Sequence, residues 1–177
     1  MNDPVDIEKC CLTKYPVPVL AHPAKPIDKI DDSIRQLADK MIDIMLDSGG
    51  IGLAGPQAGV GLSIFVVSVD GTRENAKVYI NPQISVSGGQ AAVEEGCLSL
   101  PAVFGNINRY KKCTVTATDL DGNEFTEEAE GLAARAFQHE YDHLEGVLIT
   151  SRMSIAAKIA ARKRLKELDE DFKNPQN

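Results

Sequence analysis

His139-Glu140-Tyr141-Asp142-His143 is the stretch on which the reading of this chain turns. Residues four apart on an α-helix stand one turn above each other on the same face. On a helix, His139 and His143 point the same way and can share one metal ion, and Glu140 can reach a water at that ion. The flanks supply the helix. Gly131-Leu132-Ala133-Ala134-Arg135-Ala136-Phe137-Gln138 is rich in helix formers. Leu132, Ala136, His139 and His143 fall at i, i+4, i+7 and i+11, and Gly146 offers a stop. Both histidines are therefore expected on an apolar, core-facing stripe. Two hydrogen-bonded core histidines beside a surface glutamate would read the same way. However, two of the chain's three histidines fall in this pentapeptide, the third being His22.

Upstream, the period changes from helical to alternating. Glu124 to Ala129 reads as a strand returning through the turn Asp121-Gly122-Asn123 from another over Lys112 to Leu120. Leu62 to Val69, Lys77 to Ile80 and Ile84 to Ser87 read as three further strands, closed by Asp70-Gly71, Asn81-Pro82 and Gly88-Gly89. Ala91 to Glu94 leads into Glu95-Gly96-Cys97-Leu98-Ser99. Gly49 to Gly59, broken by Pro56, reads as a loop whose glycines let a backbone approach closely; its spacing fits no phosphate-binding fingerprint. Ahead of it, Ile30, Ile34, Leu37, Met41, Ile44 and Met45 mark a helix from Asp28 or Ser33 to Asp47. The chain before Pro26 is proline-rich and irregular, with His22 at the surface. After the histidines, 151–173 reads as a closing helix carrying Lys158, Arg162 and Lys166, and 174–177 as a frayed tail.

These elements give an α+β fold, a mainly antiparallel mixed sheet packed around the His139–His143 helix, with a C-terminal helix, in a single domain over 1–177. A net charge of −7 argues against nucleic-acid binding over the whole surface, DNA included. No apolar run is long enough to span a bilayer. The N-terminus lacks the basic and apolar regions of a secretory signal, so a cytoplasmic location is expected. Cys10, Cys11, Cys97 and Cys113 are irregularly spaced, and in a reducing compartment each is a candidate ligand or nucleophile before it is half a disulfide.

Two histidines leave a catalytic metal one protein ligand short. Cys97, in its compact Gly-Cys-Leu-Ser segment, is the best candidate. A thiolate there leaves a position open for water, whereas a second cysteine, from Cys10, Cys11 or Cys113, would make a closed structural site.

Three stretches together resemble the signatures of the peptide deformylases: Gly50-Ile51-Gly52-Leu53-Ala54-Gly55-Pro56-Gln57, Glu95-Gly96-Cys97-Leu98-Ser99 and Gln138-His139-Glu140-Tyr141-Asp142-His143. They stand in the family's order and separations, and the resemblance covers nearly the whole chain. Gly55 replaces a usual alanine but removes no functional group. The resemblance implies a metal-dependent hydrolase that removes the formyl group from N-formylmethionyl nascent peptides. Cys97, His139 and His143 would bind one divalent metal, natively Fe(II), with zinc, nickel or cobalt able to replace it. It implies Glu140 as proton carrier, and Gln57 with the Leu98 backbone N–H as oxyanion donors. Glu95 and Arg109 would position the cysteine segment. Gly50, Ile51, Gly52, Leu132 and Ala136, with Leu98, would hold the peptide and its methionine side chain. The basic closing helix would dock on the ribosome. An H-E-x-x-H metallopeptidase explains the helix but not the other two stretches, and a non-catalytic metal-binding module leaves Glu140 without a task.

Overall fold

The computed structural model describes residues 5–174. The acidic start 1–4 and residues 175–177 of the tail expected over 174–177 lie outside the described residues. Helix α1 spans Asp32–Asp47. It is capped by Asp31, whose Oδ1 accepts from the Ser33 and Ile34 amides at 3.1 and 3.3 Å. Its stripe Ile34, Leu37, Met41 and Met45 is fully buried. Each such side chain is worth about 1.5–3 kcal/mol of burial. Gly49, with φ +67, ends the helix as the left-handed residue there.

The sheet has five strands in the order β1-β2-β3-β4-β5, antiparallel throughout. They are β1 Gly52–Ala54, β2 Ile64–Val67, β3 Lys77–Cys97, β4 Leu100–Thr118 and β5 Glu124–Glu130. Among the described residues, parallel pairing is confined to one isolated bridge, Lys25 with Leu62. β1 lies in the stretch expected as pure loop; its pairing with β2 overrides the glycine content. The strands expected separately over 77–80 and 84–87 are one strand, which runs on through 91–94 to Cys97. The sheet absorbs Asn81-Pro82 and Gly88-Gly89 as register shifts, between Ile80 and Gln83 and between Ser87 and Gln90. Asn81 takes φ +48, and its side chain clamps the Ile27 amide and carbonyl at 2.8 Å each. β4 likewise begins at Leu100, well before Lys112.

Helix α2, Gly131–Leu144, carries the histidine stretch. At roughly 100° per residue, Ala136, His139, Glu140 and His143 share one face, and Ala134, Phe137 and Leu144 share another. The second face packs on the sheet through Phe137, whose ring centroid is 6.0 Å from Phe65 and 5.0 Å from Tyr79. Leu132 departs from the expected core-facing stripe: it is 55% exposed, in the first turn of the helix. The closing helix is broken in two, α3 Ile149–Arg152 and α4 Ile155–Lys173. Met153 turns extended between them, and Ser154 caps α4 by accepting from the Ala157 amide. Phe172, near the end of α4, is half exposed.

Candidate active site

β3 and β4 are joined by the two residues Leu98 and Ser99, so Cys97 stands at the tip of a long hairpin, paired with Leu100. α2 brings the histidines up to that tip. Cys97 Sγ lies 3.2 Å from His143 Nε2, and the two Nε2 atoms are 3.3 Å apart. All three donor atoms lie within 4.8 Å of one another. Ligands 2.0–2.3 Å from a tetrahedral centre stand roughly 3.3–3.6 Å from each other, so the donor set fits a single divalent ion. Among the described residues this is the one such cluster. The cysteines that could have closed the site are elsewhere. Cys10 is buried against α1, Cys11 is exposed, and Cys113 points at the Ala134 carbonyl, its thiol pushed up to about 11 by burial.

Glu140 is buried, and its Oε2 has no hydrogen-bond partner. Burial raises its pKa to about 7, opposed by the charges of His139 and Arg109. That is where a proton carrier at neutral pH is useful. Gly52 makes room for this carboxylate: a Cβ there would lie 2.5 Å from Glu140 Oε1. Gly52→Ala is therefore expected to displace Glu140 and lower kcat by about a hundredfold, with about 1–3 kcal/mol of stability lost to overpacking. A full-rate variant would show that the position of Oε1 is not critical.

Gln57 follows β1 in a short 3-10 turn, Gly55–Ala58, and is buried. Its Oε1 accepts from the Ala54 amide at 2.8 Å, which leaves Nε2 as the end facing the site, 3.6 Å from Cys97 Sγ. Gly50, Ile51, Gly52, Leu98, Leu132 and Ala136 all line one cleft of about 510 Å3, together with Cys97, His139 and Glu140. Ala136 is buried, whereas Leu132 stands at the cleft's exposed edge.

Arg109 is no surface ion-pair partner; its side chain is 2% exposed. Its Nε and Nη2 reach Glu95 at 3.2 and 3.1 Å, and its Nη1 reaches Asp142 at 2.5 Å. Glu95 Oε2 lies 3.3 Å from His139 Nδ1, so it fixes the ring that turns Nε2 to the cluster. Burial opposes ionisation of Glu95, but the hydrogen bonds and charges of His139 and Arg109 win and hold it at about 2. Burial and the neighbouring His139 lower the pKa of His143 well below its ordinary value and keep it neutral. Four polar residues of this network escaped the sequence reading: Arg135, Gln138, Asp142 and Arg152. Arg135 donates to Glu95 at 2.6 Å and to the carbonyls of Ala91, Val93 and Ile107, tying α2 to both strands of the hairpin. Gln138 pairs with the Tyr110 backbone at 3.0 and 2.9 Å. Asp142 stands three residues from His139, one turn along the same side, which was the available signal.

A sequence model of the family described as polypeptide deformylase matches residues 10–158. A peptide deformylase of Acidobacterium capsulatum is 41% identical over 160 residues, covering 89% of this chain and 94% of the relative. The chloroplastic peptide deformylase 1B of Oryza sativa is 37% identical over 164 residues, 91% of this chain and 61% of the relative. Among solved structures, a Plasmodium falciparum peptide deformylase superposes with a TM-score of 0.89 at 34% identity, covering 94% of this chain and 99% of that one.

Proposed function

Because the chain belongs to the polypeptide deformylase family, we propose that Cys97, His139 and His143 hold the metal on which it works, Fe(II) in preference to zinc, nickel or cobalt. The chain is a hydrolase of formylated nascent peptides: it removes the N-terminal formyl group and releases formate. One observation carries the assignment of residues: three soft and borderline donors converge beside a buried carboxylate oxygen that has no partner.

When bound, the metal supplies a Lewis acid and brings the pKa of a water to about 7. Glu140 takes the proton at Oε2 and delivers it to the leaving amine. Gln57 Nε2 and the Leu98 N–H donate to the oxyanion. Gly50, Ile51 and Gly52 border the free edge of the sheet, where an extended peptide adds as a further strand. Ala136 walls the methionine side chain and Leu132 closes over its mouth. Glu95 and Arg109 hold His139 in place. The whole of 1–177 acts as one catalytic domain, in the cytoplasm. Among the described residues, no helix is long and apolar enough to cross a membrane.

Chelation is expected to abolish release of free amine from an N-formylmethionyl peptide, and anaerobic Fe(II) to restore it. Cleavage at an internal peptide bond would favour an endopeptidase. Bound metal without turnover would leave a structural site. Lys158, Arg162 and Lys166 are exposed along α4 and would dock on ribosomal RNA. Reversing the three to glutamate is expected to stop the protein pelleting with ribosomes; undiminished pelleting removes that contact.

A further inference from the structure

Arg152 ends α3, at the break before α4. Its guanidinium grips both oxygens of Asp142, Nη2 on Oδ1 and Nε on Oδ2, the latter at 2.8 Å. Asp142 is 6% exposed, and its Oδ2 is shared with Arg109 Nη1. Arg109 turns its opposite edge to Glu95, and Glu95 meets His139 Nδ1. An unbroken line of charge-assisted hydrogen bonds thus runs from the α3–α4 junction to a candidate metal ligand.

We propose that Arg152 is a positioning residue for His139, acting through Asp142, Arg109 and Glu95; this rests on the metal assignment above. The guanidinium of Arg109 is planar and its donors are fixed relative to one another. A tilt at the edge that meets Asp142 must therefore appear at the edge that meets Glu95. Without Arg152, Asp142 keeps one cationic partner instead of two and is free to swing towards it. Arg109 then rotates, and Glu95 loses its alignment on the imidazole.

The alternative is that Arg152 only staples the C-terminal segment down. That segment has other anchors. Met153 is buried, and a Cβ at Gly105 of β4 would meet its Cε at 2.9 Å. Ala161 and Leu168 of α4 are buried, and Arg164 Nε donates to the Pro101 carbonyl at 3.0 Å. The segment is therefore seated by contacts in which Arg152 takes no part. The bidentate grip on a buried carboxylate is surplus to docking.

The test compares Arg152→Met, which keeps the apolar stem, Arg152→Lys, which keeps the charge without the fork, and Leu168→Ala, which loosens α4 alone. Each is measured for melting temperature without metal, for Co(II) affinity by chelator competition, and for the visible spectrum of the Co(II) form. Arg152→Met is expected to weaken Co(II) binding about tenfold and to shift the visible band. Arg152→Lys should recover part of both, and Leu168→Ala should lower the melting temperature with affinity and band unmoved. A destabilised Arg152→Met with unchanged affinity and band would overturn the proposal. So would a Leu168→Ala that weakens Co(II) equally. If Arg152→Met does not fold, Arg152→Lys decides by the same readings. Wild-type protein that fails to bind Co(II) would instead remove the metal assignment itself.

Discussion

Glu140→Gln is expected to lower turnover of an N-formylmethionyl peptide by about 10²–10⁴-fold, with bound metal and melting temperature unchanged. The substitution preserves the shape of a side chain that is 4% exposed and crowded by Gly52. It removes only the ability to take and return a proton. Glu140 is outside the converging donor set, so metal content by atomic absorption should match wild type. In wild type the acid limb of kcat/KM should reflect the carboxyl held at about 7, with activity rising as pH rises through it. In the variant that limb should disappear from the residual rate. A variant that loses its metal along with its activity would show Glu140 to be structural.

Arg109→Met is expected to cost about 3–5 kcal/mol of stability, the range for removing one partner of a buried ion pair. Arg109 is the shared cation of Glu95 and Asp142, both nearly enclosed, and it also donates to the Gln138 carbonyl. Methionine fills much of the space but leaves two carboxylates short of a partner. Urea midpoints of the metal-free proteins, compared at constant slope, would measure the loss without a contribution from binding. A cost below about 1 kcal/mol would return the contact to the class of exposed pairs. The same cluster sets an acid limit. Glu95 has a folded pKa near 2 against an ordinary 4.5. Its contribution is full above 4.5 and is lost as pH falls from there towards 2. Melting temperature should fall through that window in wild type and more shallowly in Glu95→Gln.

The sequence was most readable where one period held over many residues. The α1 stripe from Ile34 to Met45, the turn at Asp121-Gly122-Asn123 and the helix under His139 and His143 all lie where periodicity put them. The three quoted motifs come together in one cleft, although no local rule brings Gln57, Cys97 and His139 into contact. What stayed hidden was punctuation overridden by pairing. Asn81-Pro82 and Gly88-Gly89 look like strand ends, yet β4 runs past both and holds β3 together across the two bulges. The long charged side chains were hidden for a different reason. Asp142 and Arg152 have the sequence look of solvated positions, and only the folded structure ties them to Arg109 in one chain of ion pairs.

Cys97 sits at a hairpin turn of two residues, and that has a consequence for the order of assembly. Hairpins of this kind close in about 1–10 μs because their partners are near neighbours along the chain. The thiol is thus presented early, on a ribbon that needs no distant segment. His143 is 46 residues away and arrives only when α2 packs down. A metal that ties the two together after α2 has packed down is expected to benefit the lifetime of the folded molecule rather than the speed of reaching it. Loading with metal should leave the refolding rate where it is and slow unfolding.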